Sequence, residues 1–308
     1  MQAVQMYVQQ YSAEGLQNEL IRVIDILGYM VAFYIVFIVK GPTYLQRFVG
    51  GTHAAPHSAA ASEAHVTNGG TPFKRSAAVV MLDKFMLVLY TLMALMSAVT
   101  LTQIVPVWLA AARQCGFYEA TCVWDDALIF RGPVGLWLGA YTLSKVPALL
   151  DVMLRVLRNH LCGAAKATHP QHQPVLFGEW YYQSMILVYC WHTFSLGMSF
   201  FVVLVMCNAV AQGVVYACKA RRAAAAAAAA GRCPRLDACI VAVYIAECIA
   251  GTAVAVYGSY QNYVGHKGCA LMQANARMCV VMYVSCCYYI ITSVRKARAE
   301  MRSTKKED

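Results

Sequence analysis

The stretch FGEWYYQSMILVYCW, residues 177–191, joins the composition of a membrane helix to a polar beginning. Most of its residues are apolar, yet Glu179, Tyr182 and Gln183 stand at positions i, i+3 and i+4. Residues three and four apart share one face of a helix, so these side chains project from the same side. A carboxyl group in hydrocarbon is costly and usually faces a polar cavity or a partner. The stretch therefore predicts a membrane helix that turns a hydrophilic face toward other helices.

The whole chain is too apolar for a soluble protein of 308 residues. Apolar residues make up 60% of it and charged residues 13%, and the mean hydropathy is +0.51. A helix needs about 20 mostly apolar residues to cross a bilayer. Seven segments meet this requirement, at 20–39, 85–107, 136–157, 174–192, 195–218, 238–260 and 270–294. We therefore predict an all-α, polytopic membrane protein with seven transmembrane helices in a single domain, 1–308.

The distribution of basic residues predicts the orientation in the membrane. Most of the 25 lysines and arginines lie in the loops after the first, third and fifth helices or in the C-terminal tail. Basic loops remain in the cytosol, so the N-terminus is predicted to be lumenal or external and the C-terminus cytosolic. The net charge of +10 follows from this topology and requires no nucleic-acid partner.

Three segments on the predicted cytosolic side have distinctive compositions. Residues 50–72 are rich in Ala, Ser, Gly and His and are predicted to form a flexible loop. Segment 219–237 contains a run of alanines that favours extension of a helix beyond the bilayer. The tail, 295–308, ends in KKED, in which Lys305 and Lys306 fit the dilysine retrieval signal of the endoplasmic reticulum. The tail thus predicts residence in that membrane, and a solvated charged tail is the alternative.

The 13 cysteines do not indicate a metal site. They lack the paired C-x-x-C spacing of zinc sites. Cys115, Cys122 and Cys269 fall in predicted lumenal segments, where a disulfide can persist. The residues themselves leave the pairing open.

Two charges lie within the third predicted helix. Lys145 is near its middle, Asp151 follows six residues later, and Pro147 interrupts the backbone hydrogen bonding. A charge at mid-membrane costs about 2.5 to 3.5 kcal/mol on insertion scales, so such residues usually face a polar chamber. The alternative is that Lys145 extends to the interface and that Asp151 lies near the cytosolic surface.

Two further helices repeat the polar pattern. Asn208 and Gln212 are four residues apart on the fifth helix, and Tyr244 and Glu247 are three apart on the sixth. With the third and fourth helices, four consecutive helices are predicted to direct polar side chains toward one chamber. Hydrogen bonds between helices account for the neutral residues, but not well for Glu179 and Glu247.

Six short motifs along the chain occur in the same order in one known family. LSKVPALLD, residues 143–151, is similar to L-S-K-x-P-E-L-x-D-T of that family. GEWYYQSMILVYCW, residues 178–191, is similar to its histidine box L-H-W-Y-H-H and the apolar run that follows. Its other motifs are similar to CGFY at 115–118, GPV at 132–134, NAVAQGVVY at 208–216 and MYVS at 282–285. The chain thus resembles the elongases of very-long-chain fatty acids, the ELO family, and most closely the branch acting on saturated and monounsaturated palmitoyl-length chains.

The resemblance implies a fold and an activity. Helices two to seven would form two inverted three-helix units, a 3+3 barrel around an acyl tunnel open to the cytosol, with helix one outside. Members condense a long acyl-CoA with malonyl-CoA to a 3-oxoacyl-CoA, and no further cofactor is implied. The implied partners are the lipid bilayer, acyl lipid, other elongases and the reductases and dehydratase of the elongation cycle. A lumenal disulfide between Cys115 and Cys269 is also implied, with Cys122 as the substitute for Cys115.

This sequence departs from the family at the reacting positions. The three histidines of the box are replaced by Glu179, Tyr182 and Gln183, and a further histidine on helix five by Gln212. The resemblance assigns the degenerate catalytic set to these four residues together with the retained Lys145, Asp151 and Asn208. It assigns the substrate tunnel to Trp180, Tyr181, Tyr244 and Glu247.

The substitutions predict a loss of chemistry. Condensation needs a nucleophile, a base near neutral pH and donors for the enolate oxygen, and imidazole serves all three roles. Losing one general acid or base lowers a rate by about 10²- to 10⁴-fold. We therefore predict a non-catalytic or strongly impaired member that binds acyl lipid or pairs with an active elongase. The alternatives are an active elongase that uses Glu179 and Tyr182, and a seven-helix receptor, which shares only helix count and orientation.

Overall fold

The computed structural model describes residues 8–50, 77–123, 129–161, 175–198, 200–227, 234–264, 269 and 272–307. Within these ranges the chain is helical and contains no β-strand, which confirms the all-α prediction for them. The helices are α1 Glu14–Arg22, α2 Ile24–Gly50, α3 Ala77–Cys115, α4 Gly132–Leu143, α5 Lys145–Leu161, α6 Phe177–Ser195, α7 Phe201–Ala227, α8 Pro234–Tyr263 and α9 Gln273–Glu307.

Five of these helices are long and apolar enough to cross a membrane: α2, α3, α7, α8 and α9. The protein is therefore a multi-pass membrane protein, but the predicted count of seven spans is not confirmed. The third predicted span is divided between α4 and α5, which have 12 and 17 residues. The fourth, α6, has 19 residues but is not apolar enough, since Glu179, Gln183 and His192 interrupt its hydrophobic run.

The division of the third predicted span has a local cause. A proline ring clashes with the carbonyl group four residues before it and supplies no N–H. For Pro147 that carbonyl belongs to Leu143, the last residue of α4. Ser144 lies at the break, where its Oγ donates a hydrogen bond of 2.6 Å to the Tyr141 carbonyl oxygen. The predicted span 136–157 is therefore interrupted at Ser144, where α4 ends and α5 begins.

The helices pack in a closed order. The helix α3 packs on α7, α7 on α8, α8 on α9, α9 on α6, α6 on α4 and α5, and these two on α3. The helix α2 packs on α5 and leaves Tyr29 and Phe33 exposed on its outer side. The inverted 3+3 relation between the two halves and the acyl tunnel remain predictions.

One close approach of backbones depends on Gly178. A Cβ atom at this position would lie 2.6 Å from the backbone of Ile290 on α9. The Gly178 N–H also donates a hydrogen bond of 3.0 Å to Ser293 Oγ. The glycine therefore allows α6 and α9 to meet just before the polar face of α6 begins.

A disulfide joins Cys122 to Cys269, with a Cα–Cα distance of 4.3 Å. The predicted Cys115–Cys269 pair is therefore wrong, and Cys115 is exposed and free. Cys115 is the last residue of α3, and the chain then turns through Gly116, whose φ of 95° favours glycine. The following π-helical turn, Glu119–Val123, buries Cys122 and brings its sulfur to Cys269.

Thiol labelling without reduction is expected to distinguish the two candidates. A maleimide should modify Cys115 in the detergent-solubilised protein, whereas Cys122 should react only after reduction. Peptide mass spectrometry reads out both positions, and Cys115→Ser serves as the control that leaves the disulfide intact. Labelling of Cys122 before reduction would contradict the assigned pair.

The remaining predictions concern the segments that the sequence assigns to the cytosolic side. Of the predicted loop 50–72, only Gly50 is described, as the end of α2, and the rest lies outside the described residues. The helix α7 continues into the alanine run as far as Ala227, as predicted for the beginning of segment 219–237. The helix α9 continues to Glu307, so Lys305 and Lys306 are on a helix; their role in retrieval remains a prediction.

Candidate functional site

The polar side chains form two buried clusters, one after the other along α6. The inner cluster consists of Tyr141, Lys145, Tyr182, Asn208, Gln212 and Glu247. The outer cluster consists of Tyr90, Asp151, Arg155, Glu179 and Lys219. Four helices, α3, α5, α6 and α7, supply the outer cluster, and five helices, α4 to α8, supply the inner cluster, so neither belongs to one element.

Asn208 is at the centre of the inner cluster. Its Oδ1 accepts a hydrogen bond of 2.6 Å from Lys145 Nζ. Its Nδ2 donates hydrogen bonds to Glu247 Oε1 at 2.5 Å and to the Tyr182 hydroxyl oxygen at 2.9 Å. The amide therefore connects a buried cation to a buried anion.

The other members of the inner cluster supply further partners to Lys145 and Glu247. Lys145 Nζ also donates to Gln212 Oε1 at 2.7 Å and lies 3.6 Å from the centre of the Tyr141 ring, a cation–π distance. The Tyr182 hydroxyl donates to Glu247 Oε2 at 2.5 Å. Lys145 is 1% exposed and Glu247 3%. Charges buried to this degree persist when they are paired and hydrogen-bonded.

In the outer cluster, Glu179 has no carboxylate oxygen left unpaired. Its Oε1 contacts Lys219 Nζ at 2.6 Å and Arg155 Nη2 at 2.8 Å. Its Oε2 accepts a hydrogen bond of 2.8 Å from Arg155 Nη1. The Arg155 guanidinium thus binds Glu179 in the bidentate manner that makes such pairs strong.

Asp151 is the second anion of the outer cluster. It accepts hydrogen bonds from Arg155 Nε at 3.1 Å, from the Tyr90 hydroxyl at 2.7 Å and from Lys219. It is 0% exposed, so the neighbouring helices enclose it completely. The formal charges of Asp151, Glu179, Arg155 and Lys219 add to zero, which allows the cluster to remain buried.

Comparison with known proteins identifies the family. The sequence model of the ELO: GNS1/SUR4 family matches residues 20–296. The chain belongs to the ELO family. It is 26% identical to fatty acid elongase 1 of Trypanosoma cruzi (strain CL Brener) over 284 residues, which cover 92% of this chain and 89% of the relative. It is 27% identical to fatty acid elongase 1 of Trypanosoma brucei brucei over 287 residues, 92% of this chain and 85% of the relative. No solved structure matches the chain.

The residues at the ELO-family histidine positions, as the motif resemblance assigns them, do not all lie in the same cluster. Glu179 enters the outer cluster, whereas Tyr182 and Gln212 enter the inner one. Gln183 is buried, and its Nε2 has no hydrogen-bond partner among the described residues. No histidine of the described ranges is in either cluster.

The aromatic residues that the resemblance assigns to a substrate tunnel pack on different neighbours. Trp180 and Tyr181 pack on Phe177, with ring centroids 4.7 and 5.9 Å away. Tyr244 instead packs on Tyr182, with centroids 4.8 Å apart, and so borders the inner cluster. The structure therefore distributes most of the predicted polar residues over two clusters and gives the predicted aromatic residues separate contacts.

Sequence reasoning missed four charged or hydroxyl groups of this ELO-family site, namely Tyr90, Tyr141, Arg155 and Lys219. Arg155 and Lys219 had been counted among the loop charges, and the two tyrosines had been given no role. Arg155 follows Asp151 by four residues, and Tyr141 precedes Lys145 by four, so the face-sharing rule used elsewhere was available for both. Lys219 had no such signal, because its partners are on other helices.

Proposed function

We propose that this ELO-family protein has lost, or nearly lost, the condensation of a long acyl-CoA with malonyl-CoA. The observation that carries the proposal is the contact set of Glu179, which occupies the first histidine position. Its two carboxylate oxygens are engaged by Arg155 and Lys219 within 2.8 Å. A nucleophile or base needs a lone pair that can approach the substrate, and these contacts engage both carboxylate oxygens of Glu179 with buried cations.

The inner cluster supports the same conclusion. The Tyr182 hydroxyl donates its hydrogen bond to Glu247, so it is not available as a donor to a developing oxyanion. Lys145 and Gln212 are bound to each other and are each 1% exposed. The polar groups therefore act as ties between helices at positions where the family resemblance assigns reacting groups.

An active elongase that uses Glu179 and Tyr182 is the second candidate. It requires Arg155 and Lys219 to release Glu179 during turnover, which would leave two cations and Asp151 unbalanced in a buried site. Breaking a buried charge pair costs about 3 to 5 kcal/mol. We therefore favour the impaired member over this alternative.

A condensation assay tests the proposal. Vesicles containing the purified protein, palmitoyl-CoA and labelled malonyl-CoA are expected to give no labelled 3-oxoacyl product above empty vesicles. Vesicles with the fatty acid elongase 1 of Trypanosoma cruzi serve as the matched positive control. A labelled product two carbons longer, abolished by Glu179→Ala, would overturn the proposal and support the active elongase.

The proposal includes a cellular location and a binding partner. We place the protein in the endoplasmic reticulum membrane, N-terminus lumenal and C-terminus cytosolic, where it binds acyl lipid or pairs with an active elongase. The basic loops and the Lys305–Lys306 pair support this orientation and place. Mass spectrometry of the purified protein tests the binding: a bound acyl chain or a co-purified elongase supports it, and a lipid-free monomer contradicts it.

A further inference from the structure

Two cysteines on neighbouring helices face each other outside both polar clusters. The thiols of Cys218 on α7 and Cys239 on α8 are close enough to interact electrostatically. Both residues are half-buried and neither is in a disulfide. The two thiols are therefore near each other and partly exposed, whereas the thiol of Cys190 is buried.

The register of the two helices independently supports this contact. Arg222 of α7 is ion-paired with Asp237 of α8, and Asn208 of α7 is hydrogen-bonded to Glu247 of α8. As residue numbers fall along α7 they rise along α8, so the two helices are antiparallel. Between these fixed points, the same register places Cys218 opposite Cys239.

We propose that Cys218 and Cys239 are an oxidant-responsive dithiol that closes to a disulfide between α7 and α8. The oxidant is a peroxide or a small-molecule disulfide. Each thiol loses a proton and one electron as the S–S bond forms, and the two electrons reduce a peroxide to water or a small disulfide to two thiols. With a small disulfide the reaction proceeds through a mixed disulfide on one of the two cysteines.

A disulfide at Cys218 would affect the outer cluster, because the next residue in the chain belongs to that cluster. Lys219, the residue after Cys218, contacts both Asp151 and Glu179. A bond from Cys218 to α8 fixes the turn of α7 that carries Lys219 and so restrains the outer cluster. Oxidation thereby stiffens the cytosol-facing end of the proposed topology.

The two cysteine pairs lie at opposite ends of α8. Cys239 is near the beginning of this helix, and Cys269 follows its end. Residues Leu236–Tyr263 are long and apolar enough to cross a bilayer, so the pairs face different compartments. The Cys122–Cys269 disulfide fits an oxidising side, which leaves Cys218 and Cys239 on the reducing side as thiols that a rise in oxidant can reach.

Oxidation of the full-length protein in detergent micelles tests the inference. After treatment with oxidised glutathione, alkylation and trypsin digestion, mass spectrometry should find the peptides of Cys218 and Cys239 joined. The link should be absent in Cys218→Ser and unchanged in Cys207→Ser, a half-buried cysteine of the same helix. Retention of the Cys122–Cys269 disulfide shows that each variant is folded. Glutathione on the exposed Cys115, with Cys218 and Cys239 both still alkylated as thiols, would overturn the inference, as would their pairing with other cysteines.

Discussion

Replacing Arg155 by methionine is expected to lower the free energy of unfolding by about 3 to 5 kcal/mol. Arg155 binds the Glu179 carboxylate through both terminal nitrogens and donates a hydrogen bond to Asp151 through Nε. Its removal leaves two buried carboxylates with Lys219 as their cation, so the cluster carries a net negative charge. Methionine retains the length and apolar character of the side chain, so the loss reports the charge.

Equilibrium unfolding in mixed micelles measures this effect, and Arg22→Met is the matched control. Arg22 pairs with Glu19 at 3.7 Å, but both side chains are mostly exposed. Exposed ion pairs contribute below about 1 kcal/mol, so the control should differ little from the wild type. Equal losses in the two variants would contradict a structural role for the outer cluster.

Replacing Asn208 by leucine is expected to have an effect of similar size, at least about 3 kcal/mol. Leucine has the same number of side-chain heavy atoms and the same branching as asparagine, so a cavity does not explain the loss. The substitution removes the hydrogen bonds that connect Lys145 to Glu247 and leaves both with fewer partners. Unsatisfied buried polar groups cost about 1 to 3 kcal/mol each, and charged groups more.

Val210→Leu is the control for this second prediction, because Val210 is on the same helix and is 54% exposed. It should unfold like the wild type in the same micelles. Asn208→Asp adds a complementary comparison, since it restores an acceptor for Lys145 but places a carboxylate beside Glu247. A stable Asn208→Leu protein would show that the inner cluster does not tie the helices together.

The helices and their polar faces were largely predictable, because both follow from short periodic patterns. The pairs Asn208 with Gln212 and Tyr244 with Glu247 each share one helix face, and the structure directs them inward. The span count was less predictable. Pro147 was recognised as an interruption, but the position of the break depends on whether neighbouring helices compensate the lost hydrogen bond.

The separation into two clusters was not predictable from patterns. Glu179 and Tyr182 share a helix face, yet one pairs with cations and the other with Glu247. Which partner each finds depends on the axial offset between helices, and no spacing within one helix encodes that offset. Lys219 was missed for the same reason, whereas Arg155 shares a helix face with Asp151 and was missed because a basic residue near a helix end resembles a loop charge.

The disulfide shows the same limit at a smaller scale. Three cysteines were assigned to one side of the membrane, and topology alone could not distinguish Cys115 from Cys122. The distinction depends on a turn at Gly116 and a π-helical segment, Glu119–Val123, which point Cys122 toward Cys269. Local backbone conformation of this kind has a weak sequence signal beyond the glycine.

The free energy of unfolding of Glu179→Gln tests the central claim most directly, namely that a former reacting position is now a structural tie. The claim predicts a loss of about 3 kcal/mol, because Arg155 and Lys219 lose a buried anion. Catalytic groups behave differently, since their placement often reduces stability and their replacement often raises it. A Glu179→Gln protein as stable as the wild type, or more stable, would contradict the claim.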